Sequence, residues 1–258
     1  MKCWSKDRDV EVNNPMRDTI NEAPSSTETA LWIPSGNGLK VVHNHAGVKL
    51  RTRGEYEDNH PVGSVVHFTA GWQSRLDLRT AVNADIAADS KKLAQYGLEG
   101  AKKNGYTFLV IDAMGVVYQN FPLNRWGYHA GKSKWPSIGS SVSNKLIGIE
   151  VQCPGRVKSI GNDMFETWYG QKFHISQIRE TQSFHNVKKG FYVPFTVAQE
   201  EALIKVNRWL FNNGRGIFQY ANVLGHDEVA PTRKDDPGLS LSMSMPQFRD
   251  TLQHGVAR

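Results

Sequence analysis

The stretch 223–238, VLGHDEVAPTRKDDPG, holds a histidine (His226), a lysine (Lys234) and two adjacent aspartates (Asp235, Asp236) in one Pro- and Gly-punctuated loop. Such a loop buries little apolar surface, so packing does not account for this density of polar groups. Imidazole together with carboxylate suits a borderline divalent cation such as zinc. The lysine ahead of the carboxylate is placed to steady an oxyanion beside such an ion. One histidine and one aspartate are not enough, because a catalytic zinc takes about three protein ligands and keeps one position open. The remaining ligand is best carried on a rigid strand end. The stretch 64–71, SVVHFTAG, offers one: Val65 and Val66 favour a strand, Ala70-Gly71 ends it, and His67 falls at its C-terminal edge.

VVHFTAG and GHDEVAPTRKDDPG together resemble the zinc N-acetylmuramoyl-L-alanine amidases of the type 2 family, the group that also contains the peptidoglycan recognition proteins. Three further segments fall in the family's order. NGYTFLV at 104–110 is similar to its second strand, WGYHAG at 126–131 to its W-H-A-G loop, and IGIEV at 147–151 to its central strand. The likeness covers residues 62–254. It implies that His67, His226 and Asp236 hold zinc, with Asp236 standing ten residues after the second histidine. It also implies that Glu150 is the catalytic glutamate and Lys234 the catalytic lysine. Tyr106 matches a tyrosine that some members use in catalysis, and reads equally as core-lining or substrate-positioning. Trp126 and His129 are expected to contact substrate, with a loop histidine satisfied by backbone as the alternative for His129. Asp235 is expected to be a solvated loop carboxylate. A glutamate inside an apolar strand is costly unless paired or working, and burial there would raise its proton affinity towards that of a general acid or base.

The activity implied is zinc-dependent hydrolysis of the amide between N-acetylmuramic acid and L-alanine in peptidoglycan, in the service of phage lysis or of muropeptide recycling. A non-catalytic peptidoglycan-binding module is the rival reading, but such modules typically lose a ligand, and here all three are present. The net charge of +6 agrees with an anionic wall polymer as partner. No zinc finger, helix-turn-helix or block of Lys and Arg favours nucleic acid. No apolar run reaches the ~18 residues of a membrane span. The start lacks the apolar core of a secretory signal, so synthesis in the cytoplasm is expected, with action at the cell wall after release. The two cysteines, Cys3 and Cys153, are expected to be free thiols.

These residues need a scaffold. Residues 1–30 are polar and proline-broken, and are expected to form a flexible arm. Residues 31–258 are expected to form a single α/β catalytic domain with a mixed central sheet flanked by helices. In its lead-in, 31–63, the segments 39–43 and 48–51 alternate like short strands joined by a turn. The segment 77–99 has helical spacing at Leu78, Val82, Ile86, Leu93 and Tyr96, with Gly97 as a stop. Residues 106–111 and 116–121 flank a turn and read as a hairpin. The region 153–195 reads as a long aromatic-rich insert, a lid that packs on its own side chains or a stacking face for sugar rings or the peptide stem. Thr196 and Gln199 form a capping box for a helix presenting Ala202, Leu203, Val206, Trp209 and Leu210, ended by Asn213-Gly214. A last helix is expected near Met245.

Overall fold

The computed structural model describes residues 31–71, 84–181 and 188–255. The N-terminal arm, Cys3 and the first part of the segment 77–99 lie outside the described residues. In chain order the elements are β1 (Lys40–His43), β2 (Gly54–Glu55), β3 (Gly63–Phe68), α1 (Ala84–Asn104), β4 (Leu109–Ile111), β5 (Val116–Gln119) and β6 (Arg125–Trp126). The short strands β7 (Lys134–Trp135) and β8 (Gly139–Ser140) precede the long β9 (Leu146–Val151). Then come β10 (Arg156–Gly161), β11 (Met164–Glu166), β12 (Lys172–His174), β13 (Arg179–Thr181) and β14 (Gly190–Tyr192). The chain finishes with α2 (Val197–Asn213), β15 (Val223–Gly225), the short α3 (His226–Val229) and α4 (Met245–His254).

The main sheet has six strands in the order β1-β5-β4-β9-β3-β15. All its neighbours run parallel except β4 and β5, which form the expected hairpin. The Asp112 carboxylate closes that turn by accepting from the Met114 and Val116 amides. Parallel strands are apolar on both faces because both are covered, and every residue of β9 is buried. On one face Val66, Ile147, Ile149 and Val151 join the core shared with Leu98, Leu203, Val206 and Leu210 of α1 and α2. On the other, Val65, Leu146 and Leu224 pack with Ala130, Ile138, Val142 and Val229. Strand periodicity puts His67 on the face of Val65 and Glu150 on the face of Leu146. The mixed α/β architecture is therefore as expected, and His67 and Glu150 sit on the face covered by loops and α3.

Several local expectations need correction. Val48–Arg51 forms no strand, and 45–47 is a turn of 3-10 helix instead of a hairpin turn. The lead-in nevertheless belongs to the core: β1 pairs with the sheet edge, and Ile33, Leu39, Val48, Leu50 and Tyr56 are buried. Helix α1 passes through Gly97 and ends at Asn104, before the positive-φ Gly105. Its buried face is Ser90, Ala94, Leu98 and Ala101, leaving Tyr96 exposed. A mid-helix glycine costs about 1 kcal/mol, less than the ~1.5–3 kcal/mol from burying Leu98 alone. Strand β4 starts at Leu109, which leaves Tyr106 before it.

The largest difference concerns 153–195. It is a five-stranded antiparallel sheet, order β12-β11-β10-β14-β13. Val157, Phe165 and Phe173 point inward and join the main core, so the aromatics stitch the insert onto the domain. The capping box at Thr196, the end of α2 at Asn213 and the start of α4 at Met245 are as expected.

Candidate metal centre and catalytic groups

His67 is held by pairing on both sides of β3. It stands in register with Glu150 of β9, and Val66 before it pairs with Gly225 of β15. His226 follows Gly225 directly and opens α3, so chain continuity places it beside His67. Asp236 returns on the loop after α3, where its carbonyl accepts the Asp227 amide at 2.7 Å. Three atoms converge: His67 Nδ1 and His226 Nδ1 are 2.8 Å apart, and Asp236 Oδ2 lies 3.0 Å from the first and 2.9 Å from the second. All three residues are buried.

The outer nitrogens decide what these atoms are. A backbone carbonyl only accepts, so His226 Nε2 donates to Ala130 O at 3.0 Å, and His129 Nε2 donates to Leu146 O at 2.9 Å. Neutral His129 then has a bare Nδ1, to which His67 Nε2 donates at 3.1 Å. When these imidazoles are neutral, as metal binding requires, each Nδ1 is a lone pair. Two lone pairs and a carboxylate oxygen thus face one another with no proton between them, an arrangement that a cation resolves. Burial, and then the neighbouring His226, lower the His67 pKa to about 4, which keeps it neutral. Burial works against ionisation of Asp236, but positive charge at the His226 and His67 nitrogens, as a proton or a bound cation supplies, holds its carboxyl well below the usual range. Neutral imidazoles and an ionised carboxylate are the ligand forms that metal binding requires, so the residues present fit a divalent ion of borderline character.

Glu150 lies next to this cluster with its Oε2 buried and without a hydrogen-bond partner. Burial, reinforced by the Asp236 charge and opposed by Lys234, pushes its carboxyl up to about 8. It can therefore hold or release a proton near neutral pH. The half-buried Lys234 acts electrostatically on both His67 and Glu150. The site thus gathers two imidazole nitrogens, a carboxylate oxygen, a buried glutamate and a lysine on one face.

The family model described as N-acetylmuramoyl-L-alanine amidase (Amidase_2) matches residues 57–239. The chain belongs to this family. The matched span contains all eight candidate residues of the amidase site. A curated relative, the N-acetylmuramoyl-L-alanine amidase AmiD of Escherichia coli (strain K12), is 26% identical over 211 residues, 81% of this chain and 61% of the relative. The chain thus spans about three fifths of that relative's length. Among solved structures, the E. coli AmiD complex with anhydro-N-acetylmuramic acid-L-Ala-D-gamma-Glu-L-Lys is similar at 24% identity and TM-score 0.46, covering 76% of this chain and 60% of that chain. A mutant endolysin from Bacillus subtilis is similar at 17% identity and TM-score 0.46, over 83% of this chain and 99% of that chain.

Not every expected residue of the amidase site reaches the cluster in the expected way. His129, expected to meet substrate, is buried with its two ring nitrogens engaged by His67 and Leu146. Its ring lies over Gly148, where a Cβ would come within 2.6 Å. The glycine that interrupts the apolar run of β9 therefore makes room for this histidine. Tyr106 forms an isolated bridge with Tyr128 and packs at the core. It lies four residues before Val110, the register partner of Glu150, and outside strand β4. Trp126 pairs with Gly54 and meets Tyr128 edge-on at 5.8 Å.

Other residues brace the centre without having stood out in the sequence. Asp227 is buried, and its carboxyl is pushed up to about 8 by burial and then by Asp236 and Glu228. The backbone amides of Glu228 and Gly238 oppose that rise. Glu228 reaches back to the Gly225 amide and takes a two-pronged contact from Arg249 of α4, at 2.8 and 3.0 Å. Arg233 donates to the same Ala130 carbonyl that orients His226. The signal available was the acidic pair directly after His226, suited to a helix N-terminus, but the N-cap is glycine instead of Ser or Thr. Asp235 also departs from expectation: it is ion-paired to Arg156 and Lys188.

Proposed function

We propose that this chain hydrolyses the amide joining the lactyl group of N-acetylmuramic acid to L-alanine in peptidoglycan, with zinc held by His67, His226 and Asp236. The observation that carries the reading is the convergence of three unprotonated donor atoms beside a buried glutamate of raised proton affinity. Zinc, when bound, would lower the pKa of a water and polarise the scissile carbonyl. Glu150 takes a proton from the attacking water, whose oxygen bonds to the carbonyl carbon. Lys234 faces the oxyanion charge that then develops. As the C–N bond breaks, Glu150 returns the proton to the leaving alanine nitrogen. The products are the lactyl carboxylate and a free peptide amine. His129 holds the tautomer of His67 throughout, and Ala130 O that of His226.

The complete donor set favours an enzyme over a binding module. Residues 31–258 are taken as the catalytic domain, since the lead-in shares its core. The basic charge supports action on the polymeric, anionic wall, as in a lysis enzyme. No helix among the described residues is long and apolar enough to cross a membrane. The test incubates zinc-loaded protein with intact sacculi and with soluble anhydro-muropeptide, and identifies products by mass. Free stem peptides from sacculi support the lysis reading. Release only from the soluble fragment moves the role to recycling, and release from neither removes the amidase reading.

A further inference from the structure

We propose that Asp235 is a positioning residue for the metal centre, tied by two cations of the insert so that the adjacent Asp236 is presented to the histidines. This rests on Asp236 being a metal ligand. Each Asp235 oxygen has its own cation: Arg156 Nη1 lies 3.2 Å from Oδ2, and Lys188 Nζ contacts Oδ1. These cations are themselves held. Arg156 Nη2 donates to Lys189 O at 2.7 Å, and the Tyr192 hydroxyl donates to Lys188 O at 2.8 Å. The fully buried Tyr192 ring lies against Gly238, which has φ +50° and where a Cβ would come within 2.5 Å of the ring. Further on, Ser240 O accepts from Arg179 Nη1 at 3.1 Å and from the Phe195 amide at 2.7 Å.

The loop is thus attached to the insert at 235, 238 and 240, and to α3 through the Asp227 amide at 236. Asp236 lies within these anchors, so its backbone is ordered before any ligand arrives. Preorganisation of this kind lowers what metal binding must spend on ordering the loop. The paired side chains are partly exposed, with Asp235 at 26%, Lys188 at 34% and Arg156 at 43%. Ion pairs this exposed add little to global stability. Their removal is therefore expected to appear in metal retention and not in unfolding of the metal-free chain.

The experiment uses the full chain loaded with zinc, in the variants Asp235→Asn, Arg156→Gln, Arg156→Lys and the double Asp235→Asn/Arg156→Gln. Zinc release to a chromophoric chelator is timed, and the thermal midpoint of each metal-free protein is measured. Asp235→Asn and Arg156→Gln are expected to release zinc roughly tenfold faster, the lower end of effects from groups that support metal ligands. The double variant is expected to be no faster than the more affected single, as for partners in one interaction. Arg156→Lys, which keeps the cation, is expected to restore slow release, and the metal-free midpoints to stay together. Wild-type release in both singles, additive effects in the double, no recovery with Lys, or midpoints that fall with release would each overturn the proposal. An Asp236→Asn variant that retains zinc as tightly as the wild type would instead show that the ligand assignment itself is wrong.

Discussion

The two larger sheets differ in what burial does to their charged residues. The six-stranded sheet is covered on both faces, and a carboxylate placed in it, Glu150, loses its water and is pushed up to about 8. The five-stranded insert is antiparallel with one wet face. Its Glu166 is half-buried and stands in register between Lys158 and Lys172, both exposed. The same side chain is cut off from water in one sheet and stands between exposed lysines in the other. Residue type does not decide between these roles; the number of covered faces does.

The largest test of that contrast is His226→Ala. It removes one of three donors, so zinc retention and amide hydrolysis are both expected to fall to background, read by metal analysis and product mass. Stoichiometric zinc in the variant would show that the main sheet carries a different site. Next is Glu150→Gln, which keeps shape but not the proton acceptor. Turnover is expected to drop by roughly 10²–10⁴ with zinc content unchanged, and Lys234→Ala to lower turnover by roughly 10²–10³. Wild-type rates in the Gln variant would return Glu150 to a structural role.

In the insert, Phe165→Ala is expected to destabilise by about 3–5 kcal/mol, the usual cost of emptying a buried aromatic site. Zinc per folded molecule should remain as in the wild type, because this side chain serves packing. Chemical denaturation with metal analysis of the folded fraction reads both.

A pH series sharpens the comparison further. Folding raises the Glu150 pKa from 4.5 to about 8. The protonated form therefore favours the metal-free fold below about pH 4.5, and that contribution is lost as pH rises through about 8. Glu150→Gln has no such loss. Its stability relative to the wild type should grow by something on the order of 2–4 kcal/mol between pH 5 and pH 8.5. A flat difference would mean that the carboxyl stays solvated. The smallest effect is expected at Glu166→Gln, within about 0.5 kcal/mol in stability and unchanged in turnover, as for surface substitutions generally.

Legibility followed the range of the interactions. Thr196 and Gln199 announced α2 because a capping box is local, with both its hydrogen bonds spanning three residues. The hairpin around Asp112 was legible for the same reason. The insert was not, because β11 to β14 are three residues each. Alternation over three residues is too short to distinguish from chance, and such strands exist only by pairing with one another. Gly97 misled because its local cost is outweighed by burial of Leu98 and Ala101.

By itself the sequence determined which groups were available: two histidines and an aspartate as donors, a glutamate in an apolar run, and a lysine beside the last ligand. These assignments depend on residue type and on order along the chain. Tertiary structure alone decided how those groups work. Strand register set Glu150 beside His67, and the Leu146 carbonyl and the His67 ring engaged both nitrogens of His129. Two cations from a distant insert engaged both oxygens of Asp235. Each of these outcomes depends on distances between residues far apart in sequence, and such distances exist only once the chain has closed on itself.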